Sequence, residues 1–360
     1  MPQQGSSTAV ELQRHEARQA FARDVLGAAS VCIARASEDA SFRSYWRVSP
    51  GPDGHASCIL MDAPPGKEDL GPWLDIAARL RRAGLHAPQV FSLDQGQGFV
   101  LMEDLGTRTL LPELADASVE ALHAEAMEAL LRMQCSASVD GLPAYDRQRL
   151  LDEMNLLPIW FLQRHLGFQP NAVEQSIIDE AFAFLTAAAE EQPRAFVHRD
   201  FHSRNLLRIE SAEPTTADGL LVNPAIVDFQ DAVCGPVTYD LVSLLRDCYI
   251  AWDVARVQAW VETYRLRLLA AQRIDATVDR MRFLRWFDLM GLQRHIKVLG
   301  IFCRLWYRDG KRQYLNDLPL VWHYTISVAS AYPQLADFCD LLRRVVGERD
   351  IRQNRELEAG

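Results

Sequence analysis

Lysine is nearly missing from this sequence. Of its 38 basic residues only Lys67, Lys297 and Lys311 are lysines, so almost every role that needs a cation falls to arginine. No stretch approaches the roughly 18 apolar residues of a membrane span. The first thirty residues mix charged and polar side chains, without the apolar centre of a signal peptide. Neither a membrane partner nor a secretory leader is expected, and a cytoplasmic location is. The seven cysteines (Cys32, Cys58, Cys135, Cys234, Cys248, Cys303, Cys339) are dispersed, odd in number and free of any C-x-x-C, which signals neither a zinc ribbon nor a disulfide scaffold. An excess of positive charge is also lacking. The formal net charge is −10, whereas a protein that displaces counterions from nucleic acid presents a basic face. No nucleic-acid partner is expected, and the sequence points to no protein partner.

What is present suits a globular protein of two lobes: 360 residues, 49% hydrophobic and 24% charged. After an opening helical stretch come short strand-like segments, SVCIARA at 30–36, SYWRV at 44–48, SCILMD at 57–62 and GFVLMED at 98–104. Turn-rich pieces and one amphipathic helix, with Trp73, Ile76, Ala77 and Leu80 on one face, separate them. Beyond residue 105 the pattern turns helical: Val119, Leu122, Ala126, Leu130 and Met133 line a face after Asp116 or Ser118, and further blocks lie at about 148–166 and 173–191. Strand character returns only between 195 and 228. The expected class is α+β, with a strand-rich lobe over 1–104 and a helical lobe over 105–360.

The chemistry concentrates in that late island. Residues 198–205 read His-Arg-Asp-Phe-His-Ser-Arg-Asn, and an apolar strand ends in Asp228-Phe229-Gln230, 23 residues after Asn205. This H-R-D-x-x-x-x-N loop followed by a strand-ending aspartate is the arrangement of phosphoryl-transfer enzymes. A carboxylate beside an acceptor hydroxyl can orient it and take its proton, which suits Asp200. Mg²⁺ is a hard cation that prefers oxygen ligands, which suits Asn205 and Asp228. His198 is expected to hydrogen-bond backbone and fix the loop. A metal-dependent hydrolase would need a second ligand cluster; His15, His55, His86, His123, His165, His295 and His323 are scattered singly.

The loop, the Asp228 segment and Gly235-Pro-Val-Thr-Tyr-Asp-Leu241 resemble the aminoglycoside phosphotransferase and choline kinase family, which implies a bilobal protein-kinase-like fold with ATP and Mg²⁺ as cofactors. More narrowly, Met61-Asp-Ala-Pro-Pro65, Asp228-Phe-Gln-Asp-Ala-Val233 and Gln293-Arg-His-Ile-Lys297 resemble bacterial kinases of cell-wall recycling that phosphorylate the anomeric hydroxyl of N-acetylmuramate and N-acetylglucosamine. The resemblance spans about residues 35–340. It implies a small-molecule sugar as partner and adenine read by the main chain near Met102, Glu103 and Leu105. Candidate acceptor contacts are His202 and Arg204 of the loop, Gln230 and Asp231 directly after the metal aspartate, and Gln293 and Arg294, polar groups on a later helix that could fix sugar hydroxyls. Two departures stand out. The covering loop Ser37–Tyr45, including Ser41, contains no glycine, and Met61 stands where a strand lysine would pair the phosphates. Arg43 or Arg47 is expected to supply that charge. Asp240 reads as structural at a helix start. An aminoglycoside- or choline-type kinase and a catalytically silent nucleotide-binding module are the alternatives.

Overall fold

The computed structural model describes residues 4–38, 42–52, 56–211, 213–216 and 219–354, with two compact units. The first joins Met1–Arg108 to Leu207–Asp231. It runs α1 (Gln4–Leu26), β1 (Cys32–Glu38), β2 (Ser44–Ser49), β3 (Cys58–Asp62), α2 (Leu70–Arg82), β4 (Val90–Asp94) and β5 (Phe99–Glu103). The strands form one antiparallel sheet in the order β1-β2-β3-β5-β4. Alternation turns Val48, Cys58, Leu60, Phe99 and Leu101 toward one core, into which α1 sends Ala22. α1 is also held by charge. Arg14 and Arg18 donate to opposite oxygens of the buried Asp62 carboxylate, at 2.5 and 2.9 Å, and Arg18 lies 4.0 Å over the Trp46 ring.

The strands expected from alternation all form; β4 was not anticipated, since VFSLD carries a serine in a run of only five residues. Gly98, just before β5, has φ +72 and lies so close to Ala63 that a side chain there would strike the Ala63 carbonyl. Residues 207–231 join this unit through the backbone: Leu221 N–H donates to Gly84 O at 2.9 Å and Ile226 N–H to His86 O at 2.8 Å. A division between 104 and 105 treats the lobes as consecutive stretches, whereas the structure groups 105–108 and 207–231 with the strand-rich unit.

The second unit is mainly helical: α3 (Val119–Ser136), α4 (Arg147–Met154), α5 (Ala172–Glu190), α6 (Tyr239–Leu245), α7 (Val254–Ala270), α8 (Arg280–Tyr307), α9 (Leu318–Ala329) and α10 (Ala336–Val346). Local chemistry starts these helices. Asn171 and Glu174 form a reciprocal capping box on α5, and Asp279 accepts from Arg282 N–H on α8. The block expected at 148–166 is divided. α4 ends at Met154, and Leu157–His165 is a π-helix whose Pro158 has no N–H to extend an α ladder. Gly300 of α8 lets that segment approach, because a Cβ there would overlap the Leu156 backbone. α8 carries Leu292, Ile296 and Leu299 into a core shared with Phe161, Phe182 and Phe338. Among the described residues no helix is long and apolar enough to cross a membrane.

Candidate active site

The strand Arg194–Val197 pairs antiparallel with Val233–Pro236 and delivers the chain to His198. There the backbone turns sharply: Arg199 has φ +78, a left-handed conformation unfavourable for a side chain of its size. Asp240, in the first turn of α6, holds that turn. Its two carboxylate oxygens accept from His198 N–H at 2.7 Å and Arg199 N–H at 3.0 Å. Burial pushes the Asp240 carboxyl up to about 7, against these two bonds, which favour the anion. The expectation of a helix-start carboxylate therefore gains a more specific content, since Asp240 shapes the loop that carries Asp200.

Inside the loop, Asp200 N–H points to His198 Nδ1 at 3.3 Å, and the fully buried His198 fixes backbone as expected. Asn205 donates its amide to Asp200 O at 3.0 Å, which identifies Oδ1 as its acceptor atom. Asp247 accepts from both the N–H and hydroxyl of Ser203. Desolvation opposes ionisation of Asp200, but the charges of Lys297, His202, Arg294 and Arg199 outweigh it and hold the carboxyl below its ordinary range. Asp200 is thus a half-buried carboxylate backed by cations.

Those cations belong to a buried network that motif reading did not reveal. Arg199 pairs with Glu153, and Lys297 Nζ lies 3.2 Å from the same carboxylate and 3.0 Å from the Tyr239 hydroxyl. Tyr145 also donates to Glu153. Lys297 was detectable in principle: it is one of three lysines and stands on a helix whose surroundings are apolar.

Asp228 belongs to the first unit. It is exposed, with φ +61, and Gln230 Nε2 donates to its Oδ1 at 2.9 Å. Phe229 anchors it by packing 5.3 Å from the Trp73 ring of α2. Leu105, Leu207 and Ala225, with Ile209 and Val227, form a small apolar cluster in this unit. The side chain of Glu103 is engaged by His86 Nε2 at 2.9 Å and Gln89 N–H at 3.1 Å.

Residues 33–284 match the phosphotransferase enzyme family. The chain belongs to that family. The phosphotransferase is 40% identical over 307 residues to the N-acetylmuramate/N-acetylglucosamine kinase of Pseudomonas aeruginosa, covering 85% of this chain and 86% of that protein. It is 37% identical over 321 residues to the kinase of the same name from Neisseria meningitidis serogroup B, covering 88% and 91%. Among solved structures, the ADP-bound aminoglycoside phosphotransferase APH(2'')-Ib is similar with a TM-score of 0.54 and 12% identity, over 88% of this chain and 98% of that one. The α+β, protein-kinase-like class expected from the sequence is therefore the fold of this phosphotransferase.

Other expected site residues fall in varied places. Ser41 lies outside the described residues. Arg43 directly precedes β2, whereas Arg47 commits its fork to Asp104, with Nε and Nη2 at 2.5 and 3.0 Å. The charge of Arg47 is matched within its own unit. Met61 is buried, paired across the sheet with Tyr45. Met102 is buried on β5, and Leu105 sits in the small apolar cluster. Gln293 and Arg294 are buried on α8. Gln293 is 0% exposed with Nε2 3.5 Å from the Tyr145 hydroxyl, and Arg294 is 3% exposed with Nη1 3.2 Å from Cys248 Sγ. Both side chains are enclosed within the second unit. His202 is half-buried, while Arg204 and Asp231 are exposed.

Proposed function

We propose that this phosphotransferase moves the γ-phosphoryl group of ATP onto the anomeric hydroxyl of an N-acetylated amino sugar, N-acetylmuramate or N-acetylglucosamine, in the recycling of cell-wall sugars. The activity named for relatives that share more than a third of their residues across most of both chains carries the reading. An ADP-bound structural neighbour supports nucleotide use, and dependence on ATP agrees with a cytoplasmic location.

In this reading Asp200 receives the hydrogen bond of the sugar hydroxyl. The anomeric oxygen forms a bond to the γ-phosphorus, the bond from that phosphorus to the β–γ bridging oxygen breaks, and Asp200 takes the proton. A carboxylate held below its ordinary range is ready in its basic form at neutral pH. An anomeric hydroxyl is more acidic than an ordinary alcohol, so a weak base suffices. Orientation then supplies most of the acceleration.

Asn205 and Asp228 are assigned as ligands of Mg²⁺, which would neutralise charge on the phosphates when bound. The donor set fits, being an amide oxygen and a carboxylate steadied by Gln230. Arg43 is the proposed phosphate cation, and the main chain around Met102, Glu103 and Leu105 is assigned to adenine.

The test combines the chain, ATP, Mg²⁺ and sugars labelled with ¹³C at the anomeric carbon. Phosphorus coupling at that carbon is expected, and Asp200→Asn should lower kcat by about 10²–10⁴-fold. Coupling at another carbon, or no turnover with either sugar, would overturn the assignment.

A further inference from the structure

The two proposed acceptors differ in one charge. N-acetylmuramate carries a lactyl carboxylate that N-acetylglucosamine lacks, so an enzyme that binds the former well benefits from a cation reserved for it. The sequence directs attention to the arginines of 293–304, but Arg294 is buried on Cys248.

The catalytic loop itself offers another cation. Arg204 lies four residues after Asp200, is exposed, and places its guanidinium carbon 3.4 Å over the Tyr249 ring. Tyr249 is in turn braced by His202, edge-on at 5.6 Å, and by Phe302, stacked at 6.5 Å. Stacking fixes the guanidinium plane while leaving its N–H edge available to a planar anion. Among the described residues Arg204 has no hydrogen bond and no ion pair. Its acidic neighbours are accounted for: Asp247 is engaged by Ser203, and Asp317, pushed up by burial despite the charge of Arg204, is not ion-paired with it. A fork pre-oriented on the loop that carries the base, with no hydrogen-bond or ion-pair partner among the described residues, suits recognition of a carboxylate.

We infer that Arg204, held on Tyr249, is the receptor for the carboxylate of N-acetylmuramate and sets the preference between the two sugars. The inference rests on the amino-sugar kinase reading above. Losing a charge-assisted, two-pronged hydrogen bond corresponds to about a ten- to hundredfold loss of affinity.

The experiment measures KM and kcat for both sugars with wild type, Arg204→Gln and Arg204→Lys. Arg204→Gln is expected to raise KM for N-acetylmuramate about ten- to hundredfold more than it raises KM for N-acetylglucosamine; Arg204→Lys, which keeps the charge but not the fork, should fall between. A wild-type urea midpoint reports that each variant is folded. Equal losses with both sugars, or an unchanged KM for N-acetylmuramate, would refute the assignment, as would a wild type that phosphorylates only N-acetylglucosamine. A wild type active on neither sugar would remove the kinase reading and this inference together.

Discussion

Glu153 is the carboxylate with which both Arg199 and Lys297 form an ion pair behind the loop that carries Asp200, and the pattern of its substitutions is calculable. The Lys297 and Glu153 side chains are 8% and 11% exposed and 3.2 Å apart. Two unit charges at that distance attract by about 5 kcal/mol at an effective dielectric of 20. Removing one member of such a pair costs about 3–5 kcal/mol, because the other charge stays buried without compensation. Lys297→Met keeps the volume of the stem and leaves Glu153 with Arg199, so the lower end, about 3 kcal/mol, is expected. Glu153→Gln strips the acid from both cations and should reach the upper end, about 5 kcal/mol. The double variant decides the matter. Deleting Lys297 when Glu153 is already neutral removes a repelled cation, so the double should be more stable than Glu153→Gln alone, where additivity would place it near 8 kcal/mol below wild type. Urea unfolding followed by tryptophan emission is a suitable assay. Six of the eight tryptophans (Trp160, Trp252, Trp260, Trp286, Trp306, Trp322) lie in the second unit and report its transition. A double variant destabilised by the sum of the singles would refute the shared-charge argument.

Two further perturbations probe the helical unit. Burial pushes the His123 imidazole, packed 4.5 Å from the Trp260 ring, down to about 4 from its ordinary 6.5. A depressed histidine leaves stability complete above about pH 6.5 and erodes it as pH falls toward 4, where the loss from this residue reaches about 3 kcal/mol; His123→Phe should flatten that part of a Tm-against-pH curve, and an unaltered slope would refute the assignment. Gly300→Ala drives a methyl into the Leu156 backbone and should cost about 1–3 kcal/mol by overpacking, read as a lowered urea midpoint; an unchanged midpoint would mean that the two segments part without penalty.

How much of this was legible before folding depends on the range of the interaction. Strand alternation, helix starts and the order Asp200, Asn205, Asp228 are written in residues a few positions apart, where backbone sterics and period decide the outcome. The loop without glycine, and Met61 in place of a lysine, were equally plain, because an absence needs no partner to be seen. Partner choice was not legible. Arg43 and Arg47 look alike in sequence, and it is the pairing of β2 with its sheet neighbours that leaves Arg47 on Asp104, 57 positions away. Gln293 and Arg294 read as polar groups on a helix, yet the packing of α8 from several sides buries both. The sequence alone determined the family motif, His198 to Asn205 with Asp228 after it, and the order in which its candidate phosphoryl-transfer residues occur. Tertiary structure decided which cations stand behind Asp200, that Asp240 shapes its loop, and that Arg204 is left on a tyrosine face with its donors unmatched among the described residues. Those outcomes depend on burial and on charges brought together across tens of residues, which no local pattern encodes.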